Sequence, residues 1–130
     1  MMTPESALLA AGELYAAHLS PRPLDRLPAP LQPADEAEAY QVQEVLNGKL
    51  AGAGFGELAG YKIGCTTAVM QAYLGIPSPC RGGILASTVA AAGAVLNHAA
   101  FRRPGVECEI AVRLGRRAAR RRRAGVGRSP

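Results

Sequence analysis

In the stretch LAGYKIGCTTAVMQAYLGIPSPCRGGIL, residues 58–85, the spacing of apolar residues no longer predicts long helices, as it does earlier in the chain, but short secondary-structure elements. Its start, LAGYKIGCTT, predicts a strand that runs into a glycine-containing turn, and TTAVMQAYLG predicts a short helix. The remainder predicts a loop and then a second strand, IPSPCRGG and ILASTV. Short strands that follow two longer helices indicate an α+β fold rather than a repeating βαβ series.

The N-terminal segment predicts the first of the longer helices. Thr3 is a suitable cap, Pro4 is tolerated in the first helical turn, and Glu5 lies where the helix dipole favours negative charge. The side chains predicted to face the core recur at helical spacing, and they are Leu8, Leu9, Leu14, Tyr15 and Leu19.

The second helix is predicted after a proline-rich connector. Residues 20–35 contain five prolines, which excludes a continuous helix there. Asp35 is a candidate N-cap with Glu38 as its capping-box partner, and the glycines of GAGFG, residues 52–56, mark the end of the helix. Its predicted inward side chains are Tyr40, Val42, Val45, Leu46 and Leu50.

Two further strands are predicted downstream. GAVLNHAAF, residues 93–101, is a weak candidate, whereas GVECEIAVRLG, residues 105–115, has the clearest strand pattern of the chain. Alternation within that strand places Glu107 and Glu109 on one face. The other face holds Val106, Cys108, Ile110 and Val112, so Cys108 is predicted to be a core thiol.

The glutamate pair has two interpretations. Glu107 and Glu109 can form the acidic outer face of a half-exposed strand. Alternatively, they can serve as oxygen ligands for Mg²⁺, Mn²⁺ or Ca²⁺, since two adjacent carboxylates repel each other and a bound cation would offset this repulsion. The segment by itself leaves both interpretations open.

The net positive charge of the chain comes from its last residues. The net charge is +5, but seven arginines and no acid follow Gly115, and the preceding residues contain two more acids than basic residues. The tail, residues 116–130, lacks apolar periodicity and is predicted to be disordered. It is either an out-of-frame product or a genuine polybasic arm.

The remaining composition predicts a cytoplasmic protein. The apolar runs are too short for a membrane span, and the N-terminus carries Glu5 and Glu13 without the basic start of a secretory signal. The three cysteines, Cys65, Cys80 and Cys108, include no CxxC pair, which favours reduced thiols over disulfides or a zinc site.

Two motifs together carry a resemblance to a known family. The chain resembles the fumarylacetoacetate hydrolase superfamily, specifically its 2-keto-4-pentenoate hydratase branch, in two segments: GYKIGCTTAVMQAYLGIPSPCRGGIL and RRPGVECEIAVRLGR. The resemblance implies a mixed β-sheet or roll of the fumarylacetoacetase C-terminal-like type, incomplete in this chain. It divides the sequence into an N-terminal helix with connector (1–33), a partial hydratase-like domain (34–115) and the tail (116–130).

The resemblance also implies roles for single residues. Glu107 and Glu109 match the family's E-x-E ligands of a divalent cation, Mg²⁺ or Mn²⁺, and Lys62 matches its active-site lysine. The implied substrate is a small 2-oxo or 2-hydroxydienoic acid, with hydration of 2-hydroxypenta-2,4-dienoate to 4-hydroxy-2-oxopentanoate in aromatic catabolism. Such a metal chelates the 2-oxo acid and stabilises enolate charge, while a lysine binds the carboxylate or moves protons. The full-length family implies a homo-oligomer.

Three further residues are candidates for substrate binding. Thr66 and Thr67 can contact the substrate or cap the following helix. Arg81 can bind a carboxylate or remain a solvated loop side chain.

The chain departs from the family in its second half. Members contribute a third carboxylate from beyond the E-x-E strand, but no Asp or Glu follows Glu109. Some members carry an acid near position 80, where this chain has Cys80, so the acid–base partner is in question. The expectation is an N-terminal fragment of a hydratase with an aberrant tail, whose own activity the sequence leaves open.

Three other functions compete with hydration. The first is decarboxylation or hydrolysis by a sibling enzyme, and the second is a non-catalytic subunit of the same superfamily. The third is polyanion binding by the arginine tail, which is disfavoured because the body offers no nucleic-acid recognition fold or aromatic platform.

Overall fold

A computed structural model of the chain describes residues 2–20 and 24–115. Three α-helices and two β-strands form its regular structure: α1 (Pro4–Leu19), α2 (Glu36–Leu50), β1 (Leu58–Gly64), α3 (Ala68–Leu74) and β2 (Cys80–Leu85). The two strands form an antiparallel sheet, which confirms the α+β fold class. The arginine-rich tail, residues 116–130, for which disorder was predicted, lies outside the described residues. The division into domains stays a prediction.

Helix α1 begins as predicted but buries a different face. The Thr3 hydroxyl accepts a hydrogen bond from the Ser6 amide at 3.1 Å, which confirms the cap. The fully buried side chains are alanines, whereas Leu8 and Leu9 are more than half exposed. The prediction that the leucines form the inner face is wrong for Leu8, Leu9 and Leu19, because α2 packs against the stripe of small residues instead.

Asp35 caps the start of α2 as predicted, but the predicted capping box is shifted by one residue, because the Glu38 carboxylate binds the amide of Ala34, which precedes the cap, and also the Met2 amide just before α1. The Asp35 carboxylate accepts from the Glu38 amide at 2.9 Å, and the Glu38 carboxylate accepts from the amides of Ala34, at 2.9 Å, and Met2. The hydrogen bond from Ala34 lowers the pKa of Glu38, and partial desolvation opposes this effect. The buried carboxylate therefore connects the N-terminal ends of both helices.

The core lies between α1 and α2. Ala7, Ala10 and Ala11 of α1 are fully buried against Val42 of α2. Partly buried apolar side chains surround this cluster: Met2, Leu14, Leu27, Leu31, Val45 and Leu46. Of the side chains predicted to face inward from α2, Val42 and Leu50 are buried and Val45 and Leu46 are partly buried against the core, as expected. Tyr40 is half-buried and contacts Arg81 of β2 instead.

The sheet begins its second strand earlier than predicted. β2 starts at Cys80 rather than Ile84, and its first residues pair with the end of β1, Gly64 with Cys80 and Lys62 with Gly82. The prediction of a loop over residues 76–83 is therefore wrong in its second half. Of the two glycines that indicated a loop, Gly83 is needed for packing, because a Cβ on it would lie 2.6 Å from Leu58 Cδ2 and 2.9 Å from Asn47 Nδ2.

Gly83→Val is expected to destabilise the contact between α2 and the sheet. The added side chain must displace Asn47 and Leu58, so we expect the free energy of unfolding to fall by about 2 kcal/mol. Urea denaturation followed by circular dichroism measures the change. Gly82→Val is the matched control, since a Cβ there meets only Lys62 carbons at 3.5 and 3.7 Å, and an equal loss in both variants would contradict the packing role.

The two downstream strands are absent from the described structure. Residues 93–101 contain a turn and a 3₁₀ helix over His98–Ala100, and residues 105–114 have no regular structure. Val106 and Ile110 are 95% exposed and Cys108 is also exposed, so the prediction of a core thiol is wrong. A strand needs a hydrogen-bonding partner, and within residues 2–20 and 24–115 β1 and β2 pair only with each other.

Of the helices in the described ranges, none is long and apolar enough to cross a membrane.

Candidate functional site

Lys62 lies on the outer face of the sheet. It is the fifth residue of β1, its Cα is paired with that of Gly82, and its side chain runs alongside this glycine. Gly60 and Gly64 flank it two residues away on the same strand face. Because these neighbours lack side chains, the exposed amine of Lys62 is accessible from this side of the sheet.

Arg81 lies on the opposite face of the sheet from Lys62. Its Cα pairs with that of Ile63, and alternation places successive residues on opposite faces. The Arg81 guanidinium carbon lies 4.3 Å from the centroid of the Tyr40 ring, and the Arg81 amide donates to Tyr40 Oη at 3.0 Å. The structure therefore does not bring Lys62 and Arg81 together on one face.

The contacts of Arg81 tie β2 to α2. Its carbonyl accepts from Gln43 Nε2 at 3.2 Å, and its guanidinium lies 3.9 Å from a carboxylate oxygen of Glu44. The side chains of Arg81 and Glu44 are 44% and 72% exposed, so this ion pair is screened by solvent and contributes little to stability. The prediction of a loop arginine is wrong, since Arg81 belongs to a strand and stacks on an aromatic ring.

A cleft of about 260 Å³ adjoins Arg81 between α2 and the sheet. Its lining combines acidic, amide and apolar side chains: Glu44, Asn47, Gly48, Ala51, Glu57, Leu58, Tyr61 and Arg81. Lys62 and the two candidate metal ligands are not part of this lining. The concave surface and the predicted catalytic lysine are thus separated by the sheet.

The two threonines lie in the turn between β1 and α3. The Thr67 hydroxyl accepts from the Met70 amide at 3.3 Å. Of the two roles predicted for Thr67, that of capping α3 is therefore confirmed. Thr66 is exposed immediately before it. Substrate contact by either threonine stays a prediction.

Glu107 and Glu109 lie in the irregular segment 105–114, and both are exposed. Two carboxylates are suitable donors for Mg²⁺ or Mn²⁺. Across the described ranges, however, no group of three or more His, Cys, Asp or Glu side chains is placed to hold a metal ion. The donor chemistry fits such an ion, but the described residues do not assemble a complete set of ligands.

A pair of thiols at the end of the sheet was not predicted. Cys80 opens β2, Cys65 follows directly after β1, and their sulfur atoms lie 3.7 Å apart. The hydrogen bond between the two thiols, together with partial burial, raises the pKa of Cys65. The sequence analysis missed this pair because Pro77, Pro79 and the following glycines predicted a loop at Cys80. Only a prediction that β1 and β2 pair with each other could have brought the two thiols together.

Comparison with known proteins identifies the family. The chain is 37% identical over 115 residues to "2-keto-4-pentenoate hydratase 2" of Dechloromonas aromatica (strain RCB), a match that covers 88% of this chain and 42% of that protein. It is 36% identical over 107 residues to "2-keto-4-pentenoate hydratase 1" of the same organism, covering 82% of this chain and 40% of that protein.

The chain belongs to the 2-keto-4-pentenoate hydratase family. It spans about two-fifths of the length of the curated relatives that it matches. A 115-residue match within a chain of 130 residues necessarily takes in the segments that hold Lys62, Glu107 and Glu109. The resemblance inferred from the two motifs is thereby confirmed for this family.

Two other comparisons gave no match. No protein-family model matches the chain. No solved structure of another protein matches it significantly. The assignment to the 2-keto-4-pentenoate hydratase family therefore depends on sequence identity to the two curated hydratases.

Proposed function

We propose that this member of the 2-keto-4-pentenoate hydratase family serves the hydration of 2-hydroxypenta-2,4-dienoate to 4-hydroxy-2-oxopentanoate. The observation that carries the proposal is the 115-residue match to a protein named for this type of reaction, which spans both candidate motifs. The open face around Lys62 supports it, since a small acid has access to the amine there.

The overall reaction requires several proton movements. Water adds its oxygen to C4 of the dienoate, protons are gained at C3 and C5, and the 2-hydroxyl proton is lost as the 2-oxo group forms. A lysine amine can bind the substrate carboxylate as a cation or transfer protons to and from these positions. In the proposal Lys62 has the proton-transfer role, because its side chain projects from a strand rather than from a flexible loop.

The remaining polar residues have supporting roles in the proposal. Glu107 and Glu109 would supply carboxylate ligands for Mg²⁺ or Mn²⁺, an ion that stabilises negative charge developing on the 2-oxo oxygen. Thr66, which is exposed and lies four residues after Lys62, is the better placed threonine for the substrate, since the Thr67 hydroxyl already caps α3. Homo-oligomeric assembly, a cytoplasmic location and a place in aromatic catabolism belong to the proposal through the family resemblance.

A chimera tests the proposal. The matched stretch of "2-keto-4-pentenoate hydratase 2" is replaced by the corresponding residues of this chain, and loss of the dienoate absorbance is followed with and without Mg²⁺. We expect the chimera to hydrate the dienoate in a Mg²⁺-dependent manner. Because both glutamates act as ligands, Glu107→Gln and Glu109→Gln should each weaken Mn²⁺ binding at least about tenfold.

The controls separate a folding failure from a wrong function. Glu13→Gln removes an exposed carboxylate of α1 and should leave Mn²⁺ binding and turnover unchanged. A chimera that folds, shown by its circular dichroism and cooperative unfolding, but converts no dienoate would overturn the hydratase proposal. Preserved metal affinity in both Glu→Gln variants would overturn the ligand assignment alone.

A further inference from the structure

The two thiols at the end of the sheet are held together by the strand register. Gly64, the last residue of β1, pairs with Cys80, and Cys65 is the next residue along the chain. The sulfur atoms lie 3.7 Å apart, whereas a disulfide bond is about 2 Å long. The two sulfurs must therefore approach each other by about a further 1.7 Å before a disulfide bond can form.

The backbone around Cys65 is held in an unusual conformation. Cys65 has φ of 56°, in the left-handed region that residues other than glycine rarely occupy. Gln71 Nε2 of α3 donates to the Cys65 carbonyl at 2.9 Å and so fixes the turn. The conformation interrupts the alternation of the strand at the point where Cys65 meets Cys80.

Both thiols can be reached from solvent. Cys80 is exposed, and Cys65 is partly exposed. Gly64, directly opposite Cys80, has no side chain to cover the sulfur, and even a Cβ at this position would lie 3.4 Å from Cys80 Sγ. A small oxidant therefore meets Cys80 first and finds Cys65 beside it.

We propose that Cys65 and Cys80 form a redox-active dithiol, which a low-molecular-weight disulfide such as oxidised glutathione converts into an internal disulfide. This site is separate from the hydratase proposal and does not depend on it. It involves neither of the candidate metal ligands.

The conversion proceeds in two exchanges. The Cys80 thiolate attacks one sulfur of oxidised glutathione, forms a mixed disulfide and releases one glutathione thiolate. Cys65 then loses its proton and attacks Cys80 Sγ, which releases the second glutathione thiolate. Two protein thiols are oxidised, one oxidised glutathione is reduced to two glutathione molecules, and the two thiol protons pass to the released thiolates.

The disulfide would close the segment that contains α3. This helix is largely exposed, with Tyr73 81% and Val69 77% accessible. Its N-terminal turn contains Thr66 and Thr67, and both ends of the segment would then be fixed to the end of the sheet. Oxidation would therefore restrict the motion of the turn that follows the strand of Lys62.

Peptide mapping tests the proposal on the full chain. After incubation with oxidised glutathione and alkylation of the remaining thiols, trypsin cuts after Lys62 and Arg81 and releases both cysteines in one peptide. We expect this peptide to lack two hydrogen atoms and to carry neither alkyl groups nor glutathione. Cys108, which is exposed and lies in a different peptide, is the internal control and should remain alkylated or become glutathionylated.

Two comparisons make the outcome decisive. The internal disulfide should form at least about tenfold faster in the folded chain than in guanidinium chloride, since the flexible chain provides only a modest effective concentration. In Cys65→Ser the glutathione adduct should accumulate on Cys80. Equal rates in both states, or stable adducts on both cysteines of the wild-type chain, would overturn the proposal.

Discussion

Replacement of Lys62 by methionine in the chimera is expected to lower kcat by about 100-fold, the lower end of the range for a lost proton-transfer group. The side chain of Lys62 lies along Gly82 on a face of the sheet that has few other side chains, so methionine fits the same space. Steady-state rates of dienoate hydration at saturating substrate measure the effect. The KM should change much less than kcat, because the proposed role concerns the chemical step.

The chain offers a matched control for this variant. Lys49, its other lysine, lies in the last turn of α2, and Lys49→Met should leave kcat within a factor of about two of the unmodified chimera. A higher KM with unchanged kcat in Lys62→Met would assign the amine to carboxylate binding. Unchanged values of both constants would exclude Lys62 from the site.

Ala10→Leu is expected to have the largest effect on stability. Ala10 is fully buried where α1 meets α2, and the leucine side chain has no space without separation of the two helices. Overpacking at such a position should lower the free energy of unfolding by about 3 kcal/mol. Urea denaturation, followed by helical circular dichroism, gives the midpoint and slope from which this change is obtained.

The same substitution elsewhere on α1 isolates the cause. Ala16 is exposed, and leucine has nearly the same helix propensity as alanine, so Ala16→Leu should change the free energy of unfolding by less than about 0.5 kcal/mol. A loss in Ala16→Leu as large as that in Ala10→Leu would show that the alanine stripe does not determine how α1 packs.

Local sequence signals predicted well where the three helices begin. Caps at Thr3, Asp35 and Thr67 depend on hydrogen bonds between residues three positions apart, and these are present as expected. The inner face of α1 was predicted wrongly because hydrophobicity favoured Leu8 and Leu9. Which face is buried depends on the partner helix, and α2 packs against the small residues.

Features that depend on distant residues were not predicted. The strand pattern of residues 105–115 is clear, but a strand forms only where a neighbour supplies hydrogen bonds, and the described residues supply none to it. The adjacency of Cys65 and Cys80 also required the register of β1 and β2. Lys62 was placed on a strand correctly, yet its separation from Arg81 became visible only with that register.

The uneven distribution of the core has a consequence for local unfolding. Leu85 is the one buried hydrophobic side chain that the sheet contributes among the described residues, whereas α1 and α2 contribute Ala7, Ala10, Ala11, Val42 and Leu50. Elements with few buried contacts open with lower free energy than those in the core. Amide hydrogens of β1 and β2 should therefore exchange with solvent through partial openings in which the helical pair stays closed. The strand that carries Lys62 thus belongs to the part of the molecule that can rearrange without global unfolding.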